Sequence, residues 1–180
     1  MTQLLRFEDV ALRRGGRLLF EGLDLALAPG EALLVRGPNG SGKSSLLRLA
    51  AGLLAPERGT VERAELALAD EHLALDRELP LGRALVFWGP NALDALGIAH
   101  LAEVPVRLLS SGQRKRAILA RVAASRAPLW LLDEPLNALD GDGAERLEQL
   151  VASHLADGGA VLAASHQPIA GIARTLELAP

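Results

Sequence analysis

Apolar positions along the chain fall into two kinds of pattern. Leu23, Leu25 and Leu27 alternate with Asp24 and Ala26, the two-residue period of a half-buried strand. Leu4 to Val10 is apolar-rich and predicts another short N-terminal strand. Ala32–Val35, Leu129–Leu132 and Ala160–Ala164 are unbroken apolar runs, as expected of parallel strands buried on both faces. Pro29-Gly30 marks a turn before the first of these runs. Helix-forming stretches lie between the runs. One extends from Lys43 to about Leu54, ended by Pro56 and Gly59; another covers about Gly112 to Ala127; a third covers Gly143 to Ala156 and stops at Asp157-Gly158-Gly159. Residues 60–70 predict short strands and Leu176–Leu178 a last one. Residues 80–109 read as mostly helical, with breaks at Gly89-Pro90 and Pro105. Buried strands alternating with helices predict an α/β fold, a sheet with helices on both faces.

Composition narrows the class. The chain has 180 residues, 49% of them apolar and 23% charged, enough for one compact domain. The apolar fraction and a net charge of −3 exclude disorder and give no electrostatic case for nucleic acid. No apolar run approaches the roughly 20 residues that cross a bilayer, and the start, MTQLLRFEDV, lacks the pattern of a secretory signal. Without cysteine there is neither a disulfide framework nor a thiolate metal site. Any membrane role therefore needs a partner. Nearly all basic residues are Arg, the only lysines being Lys43 and Lys115. Lys in such a chain marks sites that want a compact ammonium in place of a planar fork.

The first lysine sits in the strongest motif. Gly37-Pro38-Asn39-Gly40-Ser41-Gly42-Lys43-Ser44 fits G-x-x-x-x-G-K-[ST], between a buried strand and a helix. Backbone N–H groups and the positive end of a helix dipole suit a triphosphate, and glycines let the main chain turn without a Cβ in the way. Lys43 is expected on the β- and γ-phosphates and the Ser44 hydroxyl on Mg²⁺, with Ser45 next in the helix. The plain alternative is a glycine-rich turn before a helix. Asp133-Glu134 ends a buried strand, where open α/β sheets place their ligands. Asp133 suits Mg²⁺ and Glu134 suits polarising an attacking water; alone, the pair could merely end the strand. His166 follows the third buried run, beside the other strand ends if the strands are parallel, and is otherwise a polar surface residue.

Leu109-Ser110-Ser111-Gly112-Gln113 resembles the Leu-Ser-Gly-Gly-Gln signature of ATP-binding cassette (ABC) ATPases, with Ser111 in place of a signature glycine. Read without the family, Ser110 or Ser111 is an ordinary helix cap. Asn137-Ala138-Leu139-Asp140 resembles the family's D-loop and His166 its switch histidine. The motifs occur in the family order, from about residue 4 to 178. The resemblance implies a phosphate-loop NTPase core with a mainly parallel sheet, N-terminal antiparallel strands and a small, shortened helical subdomain at about 79–112. These would form a single ABC ATPase domain over 1–180. It implies ATP and Mg²⁺, and a head-to-tail homodimer on ATP binding. In that dimer Ser110, Ser111, Gly112 and Gln113, with Asp140, face the nucleotide held by the other copy. The family's adenine-stacking position falls at Arg14, whose guanidinium plane can stack. The Q-loop glutamine, which touches Mg²⁺ and links to the membrane partner, falls at His72.

The short cassette resembles the heme-exporter branch of the family, used in bacterial cytochrome c maturation. Glu103-Val104-Pro105-Val106-Arg107, the Leu129–Leu132 run and His166-Gln167-Pro168 carry that resemblance. It implies peripheral attachment, through two integral membrane subunits, to the cytoplasmic face of the inner membrane. The alternatives are the motor of a different exporter, a nucleotide-dependent nucleic-acid clamp, and a module that no longer hydrolyses. A clamp needs a long inserted coiled coil, and no heptad run lies between Ser44 and Ser110. Phe87-Trp88 reads as core filling or as the wall of a groove for a membrane subunit.

Overall fold

Strand alternation sorts the apolar side chains onto two faces of a parallel sheet, and each face carries its own core. The computed structural model describes residues 3–72, 74–89 and 93–179. Its main sheet contains β3 (Ala32–Arg36), β5 (Leu66–Ala69), β6 (Leu129–Asp133), β7 (Ala160–Ala164) and β8 (Arg174–Glu177). Their order is β5-β6-β7-β3-β8, and every pair is parallel. On one face Leu33, Val35, Leu129, Leu131 and Leu162 pack against helix α1 (Lys43–Ala50). A second sheet closes that core. It consists of β1 (Leu5–Arg14), β2 (Arg17–Leu27) and β4 (Arg58–Arg63), antiparallel in the order β2-β1-β4. On the other face Leu34, Trp130, Leu132, Val161 and Ala163 pack with helices α3 (Ser111–Ala124) and α4 (Gly141–Ala156). The expected parallel sheet, flanking helices and N-terminal antiparallel strands are therefore all present.

Three expectations change. The first helix stops at Ala50, not near Leu54, because Gly52 adopts φ 74°. Its N–H bonds Leu49 O at 3.0 Å while Leu53 N–H bonds Arg48 O at 2.8 Å, a paired C-terminal cap. Gly59 is no helix stop. It lies inside β4 with φ 85°, against a bulge in β1, where a Cβ would come within 2.3 Å of Glu8 O. Residues 80–109 are not mostly helical. Among the described residues the segment contains only the six-residue α2 (Leu81–Val86) and two 3₁₀ turns, Ala99–Leu101 and Val106–Leu108. Pro80, Gly89, Gly97 and Pro105 cut the segment into pieces too short to sustain α-helices. Leu81, Leu85, Leu93, Leu96 and Ile98 instead bury themselves in the core that contains α3. The break at Gly89 stands, with φ 120°; Pro90 lies outside the described residues. Among the described residues, no helix is long and apolar enough to cross a membrane.

The glycines give a graded test. Gly158 has φ 83° and open space where a Cβ would sit. Gly158→Ala is expected to lose about 1 kcal/mol in urea unfolding, the cost of left-handed backbone alone. Gly59→Ala adds a backbone clash and is expected to lose at least about twice as much. Equal losses would remove the bulge contact as the reason for Gly59.

Candidate active site

Parallel pairing brings the C-terminal ends of β3, β7, β6 and β5 side by side, and each is followed by a polar segment. After β3 the chain turns through Gly37, Gly40 and Gly42, with φ 146°, 80° and 104°, before α1 begins at Lys43. A Cβ on Gly37 would lie 2.6 Å from Leu178 O, so only glycine fits there. Lys43 is 7% exposed. Its Nζ donates to Gly37 O at 2.8 Å and Pro38 O at 3.3 Å and lies 3.2 Å from His166 Nε2. Among the described residues no carboxylate pairs with it. A buried ammonium served only by neutral groups is costly unless an anion completes it. The loop thus fits phosphate by charge as well as by shape. Ser41 Oγ, buried in the same loop, has no partner among the described residues.

After β6 come Asp133 and Glu134. Asp133 is buried and accepts a hydrogen bond from Ser44 Oγ at 3.0 Å, joining the loop to the acidic strand end. Burial pushes its carboxyl above the usual carboxylate range, and the Ser44 bond opposes that rise. Glu134 sits in left-handed backbone, φ 44°, with its N–H bonded to Ala164 O at 2.8 Å. Such a conformation in a glutamate is strained and turns the side chain out of the strand line. After β7, His166 Nε2 lies 3.4 Å from Glu134 Oε1 and 2.9 Å from Asn39 Oδ1. One nitrogen therefore faces two oxygens and the Lys43 ammonium. If it carries a proton it donates to an oxygen; if bare it accepts from Lys43.

Beside the loop is a cleft of about 370 Å³ lined by Arg14, Leu19, Asn39, Gly40, Gly42, Lys43, Ser44, Ser45 and Glu134. Arg14 reaches it from β1 and donates to Ser45 Oγ at 3.3 Å. Leu19, on β2, was not anticipated; a Cβ on Gly42 would touch its side chain at 3.3 Å. The alternation of Leu23, Leu25 and Leu27 gave no signal for it, since the strand extends back to Arg17.

His72 is not brought to this cleft. Its side chain is 80% exposed and turned back on Asp70, Nδ1 to Oδ2 at 3.2 Å. The adjacent Glu71 instead lines a second cleft of about 240 Å³ with Ser111, Lys115 and Glu134. Asp70 accepts the His72 N–H at 2.9 Å, and this local turn directs His72 away from the cleft that the exposed Glu71 lines.

Ser110 is the N-cap of α3. Its Oγ accepts from Gln113 N–H at 3.2 Å, and Gln113 Oε1 accepts from Ser110 N–H at 2.9 Å, a reciprocal cap. Ser110 and Ser111 are exposed at this helix end. Gly112 is required: a Cβ would lie 2.8 Å from Ala138 O. Asp140 caps α4 by accepting Gly143 N–H at 2.9 Å and pairs with Arg116 of α3. Those bonds, the Gly143 N–H first, hold its carboxyl below the usual range. Ser110, Gly112, Gln113 and Asp140 line a third cleft, of about 420 Å³, which shares no residue with the phosphate cleft. Arg116 was missed because its partners, Asp140, Asp142 and Leu96 O, come from distant segments. The two readings of Phe87-Trp88 divide. Trp88 is half-buried under the Arg121 guanidinium at 4.8 Å, whereas Phe87 is 85% exposed, near exposed Val86.

Known proteins share much of this sequence and its fold. The ABC transporter family profile matches residues 20–137. The cytochrome c biogenesis ATP-binding export protein CcmA of Sphingopyxis alaskensis is 55% identical over 94% of this chain and 93% of its own. That of Novosphingobium aromaticivorans is 56% identical over 90% of this chain and 88% of its own. A dimeric bacterial ABC transporter cassette superposes with a TM-score of 0.82 at 22% identity, over 97% of this chain and 94% of its own, and shows the fold. An inward-facing putative metal-chelate type ABC transporter is 31% identical over 99% of this chain and 80% of its own, with a TM-score of 0.78. The chain belongs to the ABC transporter family of ATP-binding proteins, and within it to the cytochrome c biogenesis ATP-binding export proteins.

Proposed function

We propose that this chain is the ATP-hydrolysing subunit of a membrane export complex of cytochrome c biogenesis, with heme as the cargo handled by its partners. The Ser44–Asp133 hydrogen bond carries the site reading, because it joins a phosphate-binding loop to a paired-carboxylate strand end. Both side chains offer hard oxygens, the donor type Mg²⁺ prefers. Mg²⁺ held by Ser44 and Asp133 would neutralise phosphate charge.

The remaining roles follow from this chain's own groups. Gly37, Pro38, Asn39, Gly40, Ser41, Gly42 and Ser45 form the phosphate cradle, and Lys43 supplies its counter-charge. Glu134, held in its strained backbone at the cleft, takes a proton from the attacking water. His166 orients that water from the opposite side. Arg14 and Leu19 form a platform for the base, a guanidinium plane beside an apolar side chain. Ser110, Ser111, Gly112, Gln113 and Asp140 complete the site of a second copy. The cleft lined by Ser110, Gly112, Gln113 and Asp140 shares no residue with the phosphate cleft of the same chain, which supports this. Solved cassettes of this fold include dimers, which supports the same assembly. Glu71, not His72, is the residue placed to link this site to the segment that follows it.

One ABC ATPase domain, with the shortened subdomain at about 79–112, accounts for the whole chain. Its exposed Phe87, Val86 and Leu108 give two integral membrane subunits an apolar foothold, so attachment to the cytoplasmic face of the inner membrane is peripheral. The net charge of −3 favours no direct contact with nucleic acid.

Two measurements test this reading. Glu134→Gln is expected to bind ATP, release phosphate at least about 100-fold more slowly, and accumulate as a dimer in light scattering with Mg²⁺ and ATP. Turnover at the normal rate would remove Glu134 from its role. Phe87→Asp is expected to change stability by less than about 0.5 kcal/mol yet to lose co-purification with the membrane subunits. Retained co-purification would place the contact elsewhere.

A further inference from the structure

The second lysine lies where no simple packing argument requires one. Lys115 is 9% exposed, one turn into the helix whose first residues form the signature. Its Nζ lies 3.5 Å from the backbone oxygen of Asp133. The carboxylates of Asp133, Glu71, Glu134 and Asp70 all act on it electrostatically. Glu71 and Glu134 line the same small cleft, together with Arg114 at the exposed side. The other cations nearby serve other groups. Arg48, on α1, acts on Asp133 from the opposite face, and Arg121 donates to Leu68 O at the end of β5 and acts on Asp70. Lys115 is thus a buried cation at the Asp133 strand end, lining one cleft with Glu134 and the exposed Glu71. A guanidinium would need room for a planar fork, whereas an ammonium fits a cleft of this size.

We infer that Lys115 is a positioning residue for ATP hydrolysis: its buried ammonium holds the Asp133-Glu134 strand end and the Glu71 turn together against the signature helix. The inference rests on the proposed role of the phosphate cleft and adds a link to it. Glu134 faces that cleft on one side and Lys115 on the other, so α3 and the carboxylate that acts on water share one charge cluster. Without Lys115, Glu71 and Glu134 repel across the cleft, and Glu134 leaves its position while the phosphate loop is untouched. The loss therefore falls on the chemical step more than on nucleotide binding.

A double-mutant cycle on the full chain tests this, with Lys115→Met, Glu71→Gln and the pair. Thermal unfolding is read without nucleotide, and kcat and KM for ATP are read with Mg²⁺. Lys115→Met is expected to lower the melting temperature by about 5 °C or more, because it removes the contact with Asp133 O and the cation beside Glu71 and Glu134. It is expected to reduce kcat at least about tenfold while KM changes less than about threefold. In that background Glu71→Gln is expected to recover about half of the melting loss and to raise kcat several-fold, since it removes one uncompensated charge. Full kcat in Lys115→Met, or equal effects of Glu71→Gln in both backgrounds, overturns the inference. Lys115→Gln replaces Lys115→Met if the latter does not fold, with the same expectations. Glu134→Gln in parallel separates the two readings. Normal turnover there refutes the role of the cleft, whereas its loss there beside full turnover in Lys115→Met refutes only the role of Lys115.

Discussion

Parallel pairing of β3, β7 and β6 is the constraint on which the site depends. Because these strands run the same way and lie next to one another, three separate stretches of chain must end at one edge of the sheet. The glycine loop, the paired carboxylates and His166 are far apart in sequence and adjacent in space for that reason alone. An antiparallel neighbour would send one of them to the opposite edge. The buried, branched and aliphatic strands that impose the pairing contain almost no polar atoms, so burial and backbone hydrogen bonds decide the register. The chemistry is then confined to the residues just beyond the strands, where the backbone is free to adopt the left-handed turns seen at Gly37, Gly42 and Glu134.

Much of this was legible beforehand, and particular residues show why. Ala32–Val35, Leu129–Leu132 and Ala160–Ala164 could only be doubly buried strands, and all three are. The glycine loop carried its own local geometry, so its position between strand and helix followed directly. The segment from 80 to 109 misled because leucines suit a helix and a compact irregular packing equally well. Pro80, Gly89, Gly97 and Pro105 tipped the balance toward the second. Gly59 misled for a related reason: a glycine between a helix and a strand reads as a stop, when here the bulge of a neighbouring strand demands it.

Within the site, legibility followed the range of the interaction. Residues defined by spacing along the chain, such as Lys43, Ser44, Asp133 and Ser110, fell where spacing put them. Residues defined by what comes near them from elsewhere were hidden: Leu19 beside Gly42, Arg116 between two aspartates and a distant carbonyl, and Glu71 at the rim of a cleft. His72 and Glu71 differ by one position and both are exposed, and the hydrogen bond to Asp70 turns His72 away from the cleft. The rarity of lysine in an arginine-rich chain was the one compositional hint at a hidden site.

The reciprocal cap at the start of α3 has a consequence for how such a molecule works over many cycles. Ser110 and Gln113 satisfy each other's backbone groups within the single chain. A surface whose polar atoms are already at rest loses nothing when a neighbour departs. Separation after each round leaves the Ser110 and Gln113 N–H groups satisfied, so this helix start keeps its cap in the single chain. A clamp built this way resets without partial unfolding.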